Sequence, residues 1–359
     1  MKVGMMMPTM QSVEINEAIL QVAIASNADS IWLPDHILGI SHPALWPEYR
    51  ASEQLADPDS WLDPFCVTAI LGRQTSLPIG TCVTDCVRRR PADLARTTLT
   101  LHNSNKGGFI LGIGSGEAES LLPFGYDFAR PVGKLEESLK ELRALLDFGR
   151  MPHGVGRMGL PLQNSNGRPQ IWVAGNGPRA LELTGRFGDG WLPGLAGPER
   201  FADQWRQVQE AACKSRRDAP IAGLFPLIVL GDSVDHVRAL LEAQPLLKLV
   251  MLLAPATTWR QYGLDHPAGP TCRGFPDVIP HALDPAHLRQ IAPRIPIQMV
   301  EELALLGNAA DIASRLRPYA EAGLQHVVLC DITGLCQAPA DTVRLMGELG
   351  RLRSLLAVE

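Results

Sequence analysis

The stretch Gly108–Glu117, GFILGIGSGE, decides how the chain is read. Phe109-Ile110-Leu111 is an apolar run short enough for a strand buried on both faces, as in a parallel sheet. It gives way to Gly112, Gly114 and Gly116 in alternation, then to two acids, Glu117 and Glu119. Alternate glycines strip the side chains from one face of a strand end, so something flat or bulky can approach the backbone. The spacing G-x-G-x-G-E is not the G-x-G-x-x-G of a dinucleotide fold. A tight turn with glycines at positive φ would carry the same letters.

Outward from this stretch the same punctuation recurs. Apolar runs at Lys2–Met7, Ser30–Leu33 (SIWL), Pro78–Val83 (PIGTCV), Gln170–Ala174 (QIWVA), Gly190–Leu192, Leu224–Leu230 and Gln325–Leu329 (QHVVL) read as the other strands. Helical patterns lie between them. Ser12–Asn27 places Ile15, Ala18, Ile19, Val22 and Ala25 on one face, and Lys134–Phe148 repeats leucines at the same period. Strand–helix alternation from end to end predicts a parallel sheet, and eight such units predict a (β/α)8 TIM barrel forming one domain over residues 1–359. Residues 231–310 break the metre. They read as two helical segments around His266–Pro280 (HPAGPTCRGFPDVIP), an insertion between strands seven and eight.

Charge and composition exclude several classes. The net charge is −5, and the one basic run, Arg88-Arg89-Arg90, is local and has no interleaved aromatics, so nucleic acid is not expected as a partner. No apolar stretch approaches the roughly 20 residues of a membrane span. The start, MKVGMMMPTM, is broken too soon by Pro8 for a signal peptide and reads as the first strand. Seven cysteines without a C-x-x-C spacing predict reduced thiols in a cytoplasm and no structural zinc. Scattered histidines give no metal site.

In barrels the residues just past the strands' C-terminal ends form the active site. After strand two stand Asp35 and His36, suited to proton transfer if the barrel mouth desolvates them, or a capping acid and a loop histidine if it does not. After strand three, Cys82-Val83 precede Thr84-Asp85, polar groups for a ligand's ring edge or a plain turn. After strand four come Ser115 and Glu117, the latter a second proton-handling group or a first-turn acid on a helix dipole. After strand five, Gly175-Asn176-Gly177-Pro178 offers bare amides where a helix begins, the arrangement that receives a phosphate, or a glycine-rich turn with Pro178 at the first helical position. Together they lay out a flat ring held at the mouth with a phosphate-bearing tail to one side. Arg88–Arg90 could meet an acidic tail or simply be solvated.

Four of these segments, IWLPDH, GTCVTD, ILGIGSGE and WVAGNGPRALELTGRFGDGWLPG, resemble the bacterial-luciferase-like family. More narrowly, the same four are similar to its branch using the deazaflavin coenzyme F420, and within that branch CVTDCVRRRPADLA, HPAGPTCRGFPDVIP and LQHVVLCDITG are similar to reductases of lipid ketones. The resemblance implies a homodimer of (β/α)8 barrels with the insertion roofing the pocket. It puts Asp35 and His36 at the deazaflavin ring, His36 moving the proton with Glu117 as the second candidate. It maps a non-proline cis peptide behind the ring to Cys82-Val83, and the ring edge to Thr84 and Asp85. Ser115, Gly116 and Glu117 would touch ring and side chain, and Ala174, Gly175, Asn176, Gly177 and Pro178 would hold the phosphate. Asn176 departs from the family, where a small residue or histidine is frequent. The tryptophan that follows Asp-His in F420 sugar-phosphate dehydrogenases is replaced by Ile37-Leu38-Gly39. The implied chemistry is hydride transfer between F420 and a polarised C=O or C=C of a small molecule, apolar or a natural-product intermediate. An FMN-dependent monooxygenase is the alternative, and a cofactor-binding protein without turnover a third. Trp259, Tyr262 and Phe275 would line an apolar pocket or form the insertion's own core.

Overall fold

The apolar runs close into a barrel in the computed structural model, which describes residues 1–10, 12–194, 196–337 and 339–357. In chain order the elements are β1 (Lys2–Met6), α1 (Val13–Ala25), β2 (Ser30–Leu33), α2 (Pro64–Leu71), β3 (Ile79–Thr81), β4 (Thr84–Asp85), α3 (Pro91–Ser104), β5 (Phe109–Gly114) and α4 (Ala118–Leu121). There follow α5 (Pro131–Phe148), β6 (Gln170–Val173), α6 (Pro178–Phe187), β7 (Gly190–Trp191), α7 (Pro198–Lys214), β8 (Ile221–Leu224) and β9 (Leu227–Leu230). The last third holds α8 (Val234–Ala243), α9 (Ala256–Gln261), α10 (Pro285–Ile291), α11 (Ile297–Val300), β10 (Ala304–Gly307), α12 (Ala309–Glu321), β11 (His326–Asp331) and α13 (Pro339–Ala357). Parallel pairing runs β1-β2-β3-β5-β6-β7-β8-β11, and β11 returns to β1 with His326 opposite Lys2. This is a closed eight-stranded (β/α)8 barrel.

Strand seven differs from the single run Leu224–Leu230 that the sequence predicts. It is β8 and β9, interrupted at Phe225-Pro226, because proline cannot donate to a ladder. Its second half leaves the barrel wall and pairs with β11 on one side and β10 on the other. Residues 231–310 therefore hold α8 to α11, a 3-10 stretch over Pro245–Leu253 and the strand β10, not two helical segments alone. A four-residue apolar run such as Ala304–Gly307 does not announce strand or helix by its pattern.

The barrel interior is plugged by tryptophan. Trp32 and Trp172 are fully buried with ring centroids 5.0 Å apart, and His326 stands edge-on to Trp172 at 5.3 Å. Glycines on four other strands make the room: a Cβ at Gly4 or Gly80 would come within 3 Å of Trp32, and one at Gly190 or Gly223 within 3 Å of Trp172. The indole N–H of Trp32 donates to Ser30 Oγ (2.7 Å), which also meets His326 Nε2 (2.9 Å). Outside the barrel, α1 is rotated from its expected face. Leu20, Ala23 and Asn16 are buried, while Ile15 is 42% exposed, because Asn16 anchors the turn by donating to the Ser12 carbonyl. All seven cysteines are free thiols. No helix among the described residues is long and apolar enough to cross a membrane.

Candidate active site

Asp35, His36, Cys82, Val83, Thr84, Asp85, Ser115, Gly116, Glu117 and the turn Ala174–Pro178 all line one cleft at the C-terminal ends of the strands, with a volume of about 1650 Å³. β2 is buried throughout; Pro34 stops it and delivers Asp35 and His36 to the mouth. Asp35 is buried and already bonded: its Oδ2 accepts from the Thr84 hydroxyl (2.6 Å) and lies 3.2 Å from the Arg88 guanidinium. Arg88 also donates to the Asp35 carbonyl (2.6 Å). Burial lifts the Asp35 carboxyl above its ordinary range, and Arg88 and Thr84 pull it only part of the way back. Asp85 closes the following turn, its Oδ1 accepting from the amides of Val87 and Arg88 (2.7 Å each) and its Oδ2 from Arg88 Nε. The hydroxyl proton of Thr84 and the oxygens of Asp85 are thus committed within the protein.

The Cys82–Val83 peptide is cis, where the resemblance puts one. The bulge it sits in explains the glycine stripe. A Cβ at Gly112 would lie 1.8 Å from the Thr81 carbonyl oxygen, and one at Gly114 3.2 Å from Val83 Cγ2. Thr81 Oγ1 fastens the bulge, donating to Gly112 O (2.7 Å) and accepting from Gly112 N (3.0 Å). The body that approaches strand four is the neighbouring strand.

Gly116, at φ +92°, turns the chain so that Glu117 and Glu119 face His36. His36 Nδ1 lies 2.9 Å from Glu119 Oε1 and 3.6 Å from Glu117 Oε2. The shorter contact is an ion pair off the hydrogen-bonding direction, since among the described residues neither Nδ1 nor either Glu119 oxygen has an aligned partner. Burial opposes a charge on His36, but Glu119 and Glu117 outweigh it and push the imidazole up to about 9. Burial, with Glu119 adding repulsion, raises the Glu117 carboxyl, and His36 only moderates this. Nδ1 of His36 and one carboxylate oxygen from each of Glu117 and Glu119 lie within 4.8 Å of one another. Trp61 packs on the His36 ring at 5.1 Å and Phe275 meets it edge-on at 6.3 Å. The Pro276 carbonyl accepts from Ala118 N (3.0 Å), which ties residues 231–310 to the strand-four turn. Of the aromatics expected there, Phe275 lines the cleft, whereas Trp259 is fully buried among residues of that region, with its N–H on Met251 O (2.9 Å).

At strand five, Gly177 begins the ten-residue helix α6 with no side-chain cap and Pro178 at its first position. The carbonyls are tied back, Gly175 O to Trp191 Nε1 (3.0 Å) and Asn176 O to Gln204 Nε2 (2.8 Å). A Cβ at Gly177 would meet nothing within 4 Å, so the uncapped amides open onto clear space. The Asn176 residue itself is exposed.

Four participants escape the sequence reading in these roles. Arg88 belongs to a buried clamp, not to a solvated run, and Arg89 is spent on Asp63 (2.7 Å) and the Phe65 ring. Glu119 was visible only as a second acid; Trp61 comes from a distant loop with no motif. Asp331, at the end of β11, also lines the cleft, its carboxyl raised by burial.

Residues 1–326 match the family described as luciferase-like monooxygenase. The phthiodiolone/phenolphthiodiolone dimycocerosates ketoreductase of Mycobacterium kansasii is 32% identical over 323 residues, 86% of this chain and 88% of that one. Among solved structures, an F420-dependent secondary alcohol dehydrogenase with an F420–acetone adduct superposes with a TM-score of 0.71 at 17% identity, covering 99% of this chain and 98% of that one. A riboflavin lyase with modified FMN and riboflavin gives 0.68 at 15% identity, covering 99% and 92%. The protein belongs to the bacterial luciferase-like family of oxidoreductases.

Proposed function

We infer that the protein is an F420-dependent reductase that moves a hydride between the deazaflavin and a polarised C=O or C=C of a lipid-like or specialised metabolite. The observation that carries this reading is His36, set between Glu117 and Glu119 in the same cleft as an uncapped, glycine-fronted helix N-terminus. These residues fit a ring with a phosphate tail. The amides opening α6 would take the phosphate, the Cys82–Val83 bulge would back the ring, and Ser115 and Gly116 would border it. When bound, F420 supplies a two-electron hydride. The chain's own contribution is to orient the substrate, exclude water and exchange one proton at His36, with Glu117 beside it. Met6, Met7, Leu253 and Phe275 in the cleft lining suit an apolar substrate, and the ketoreductase relative points the same way. Residues 231–310 act as the roof, and a homodimer belongs to the same reading.

Titrating the cofactor-free protein with F420 and with FMN tests it. Micromolar F420 binding and oxidation of reduced F420 by a hydrophobic ketone or enone are expected. FMN binding with none for F420 would convert the reading to a monooxygenase. F420 binding without turnover on any carbonyl or alkene would leave a cofactor carrier.

A further inference from the structure

We propose that Glu119 is the positioning residue of this site: it holds Nδ1 of His36 and so turns Nε2 to the cleft as the atom through which the reaction's proton passes. Glu119 is 1% exposed, and among the described residues neither of its carboxylate oxygens has an aligned hydrogen-bond partner. A carboxylate so buried is costly unless something compensates it. His36 Nδ1 lies within ion-pair distance, at 2.9 Å. Nδ1 in turn has Glu117 as its other charged neighbour, at 3.6 Å, while among the described residues Nε2 has no hydrogen-bond partner. Trp61 against the ring and Phe275 at its edge oppose a flip that would strand Glu119 in apolar surroundings. The charged groups around the ring are Glu117 and Glu119 from the strand-four turn and Asp35 beside it, with Arg88 held behind by Asp35 and Asp85. A carboxylate on one ring nitrogen fixes the tautomer and favours the imidazolium, leaving the other nitrogen to do acid–base work.

In a ketone reduction F420, held at the amides opening α6 and backed by the Cys82–Val83 bulge, would supply the hydride for the carbon, and His36 would give its Nε2 proton to the carbonyl oxygen. His36 is left neutral with its remaining proton on Nδ1 toward Glu119, and recovers the lost one from water. The reaction assigned here rests on the F420 reading; the geometry of the dyad does not.

Nitrogen NMR of imidazole-labelled, cofactor-free full-length protein tests it, with H36A identifying the signal. In the unaltered protein Nδ1 is expected to be protonated at neutral pH. Glu119→Gln should lower the His36 midpoint by at least one pH unit and mix the tautomers, and Glu119→Asp should restore much of both. With F420, E119Q should lose roughly 10²-fold in kcat, keep KM and cofactor affinity within about twofold, and move the alkaline limb of the rate profile down with the NMR midpoint. An unchanged His36 titration in E119Q overturns the proposal even if F420 turnover is normal. If F420 does not bind, the NMR comparison still decides the role of Glu119. Should E119Q not fold, an unprotonated Nδ1 in the unaltered protein at neutral pH overturns it alone.

Discussion

Arg88 stands between two buried carboxylates. Its guanidinium reaches Asp35 at 3.2 Å and pairs with Asp85, and all three side chains are at most 10% exposed. Truncation leaves two acids without a counter-charge in a poorly solvated place, which costs far more than losing a surface pair. R88A should therefore lower the unfolding free energy by about 3–5 kcal/mol in urea titration, and R88K should recover only part, since an ammonium cannot span both partners with a planar fork. R89A, which gives up a half-exposed bridge to Asp63 and a ring contact, should cost no more than about 1 kcal/mol. Equal stabilities for R88A and R89A would remove the clamp. In the sequence the three arginines look alike. What separates them is the meeting of strand two's end with strand three's bulge, a contact 53 residues apart in the chain.

At the scale of elements, the alternation Gly112–Gly114 was legible as a demand for close approach, and what approaches was not. The sequence points to a ligand; the structure shows the Thr81 carbonyl. The two roles part under mutation. G112A puts a methyl 1.8 Å from backbone oxygen and should cost at least about 1–3 kcal/mol, the usual penalty for overpacking. G177A meets no atom; it should cost only about 1 kcal/mol for a poorer helix cap yet weaken F420 binding several-fold, because the methyl stands before the open amides. Denaturant midpoints and cofactor titrations on both variants check this, and a G177A protein that binds F420 unchanged would move the phosphate elsewhere. Strand seven and α1 show the same limit. Pro226 was readable as a ladder breaker but lay inside an apolar run, and the face of α1 follows Asn16, a polar residue that no hydrophobic period selects. The glycines seating Trp32 and Trp172 lie on four separate strands, so only closure of the barrel makes a pattern of them.

The whole molecule keeps protons at its mouth and refuses one at its floor, and its stability should show both. At the mouth, the folded state holds His36 charged up to about 9 and keeps the buried Glu117 carboxyl protonated above its ordinary range. The unfolded chain releases these protons earlier. His36 keeps its extra proton between pH 6.5 and about 9, and Glu117 keeps its own between 4.5 and about 8, so over those windows stability falls as pH rises, by up to about 1.4 kcal/mol per unit for each proton retained. At the floor, burial against Trp172 and Trp32 lowers His326 to about 4. Below pH 6.5 the unfolded state takes up a proton that folded His326 does not, so that contribution is lost as pH falls toward 4. Between pH 4.5 and 6.5 the Glu117 and His326 contributions oppose each other, so urea midpoints should change little there and then fall toward pH 9 on a slope that belongs to the site. E117Q should flatten the alkaline slope and uncover a rise from pH 4.5 to 6.5 that belongs to His326, whereas H36A should flatten the slope above pH 6.5 and leave the His326 contribution as it is. An alkaline slope identical in all three proteins would mean that the mouth stores no protons, and His36 would then lack the charge that a proton donor to a ketone requires.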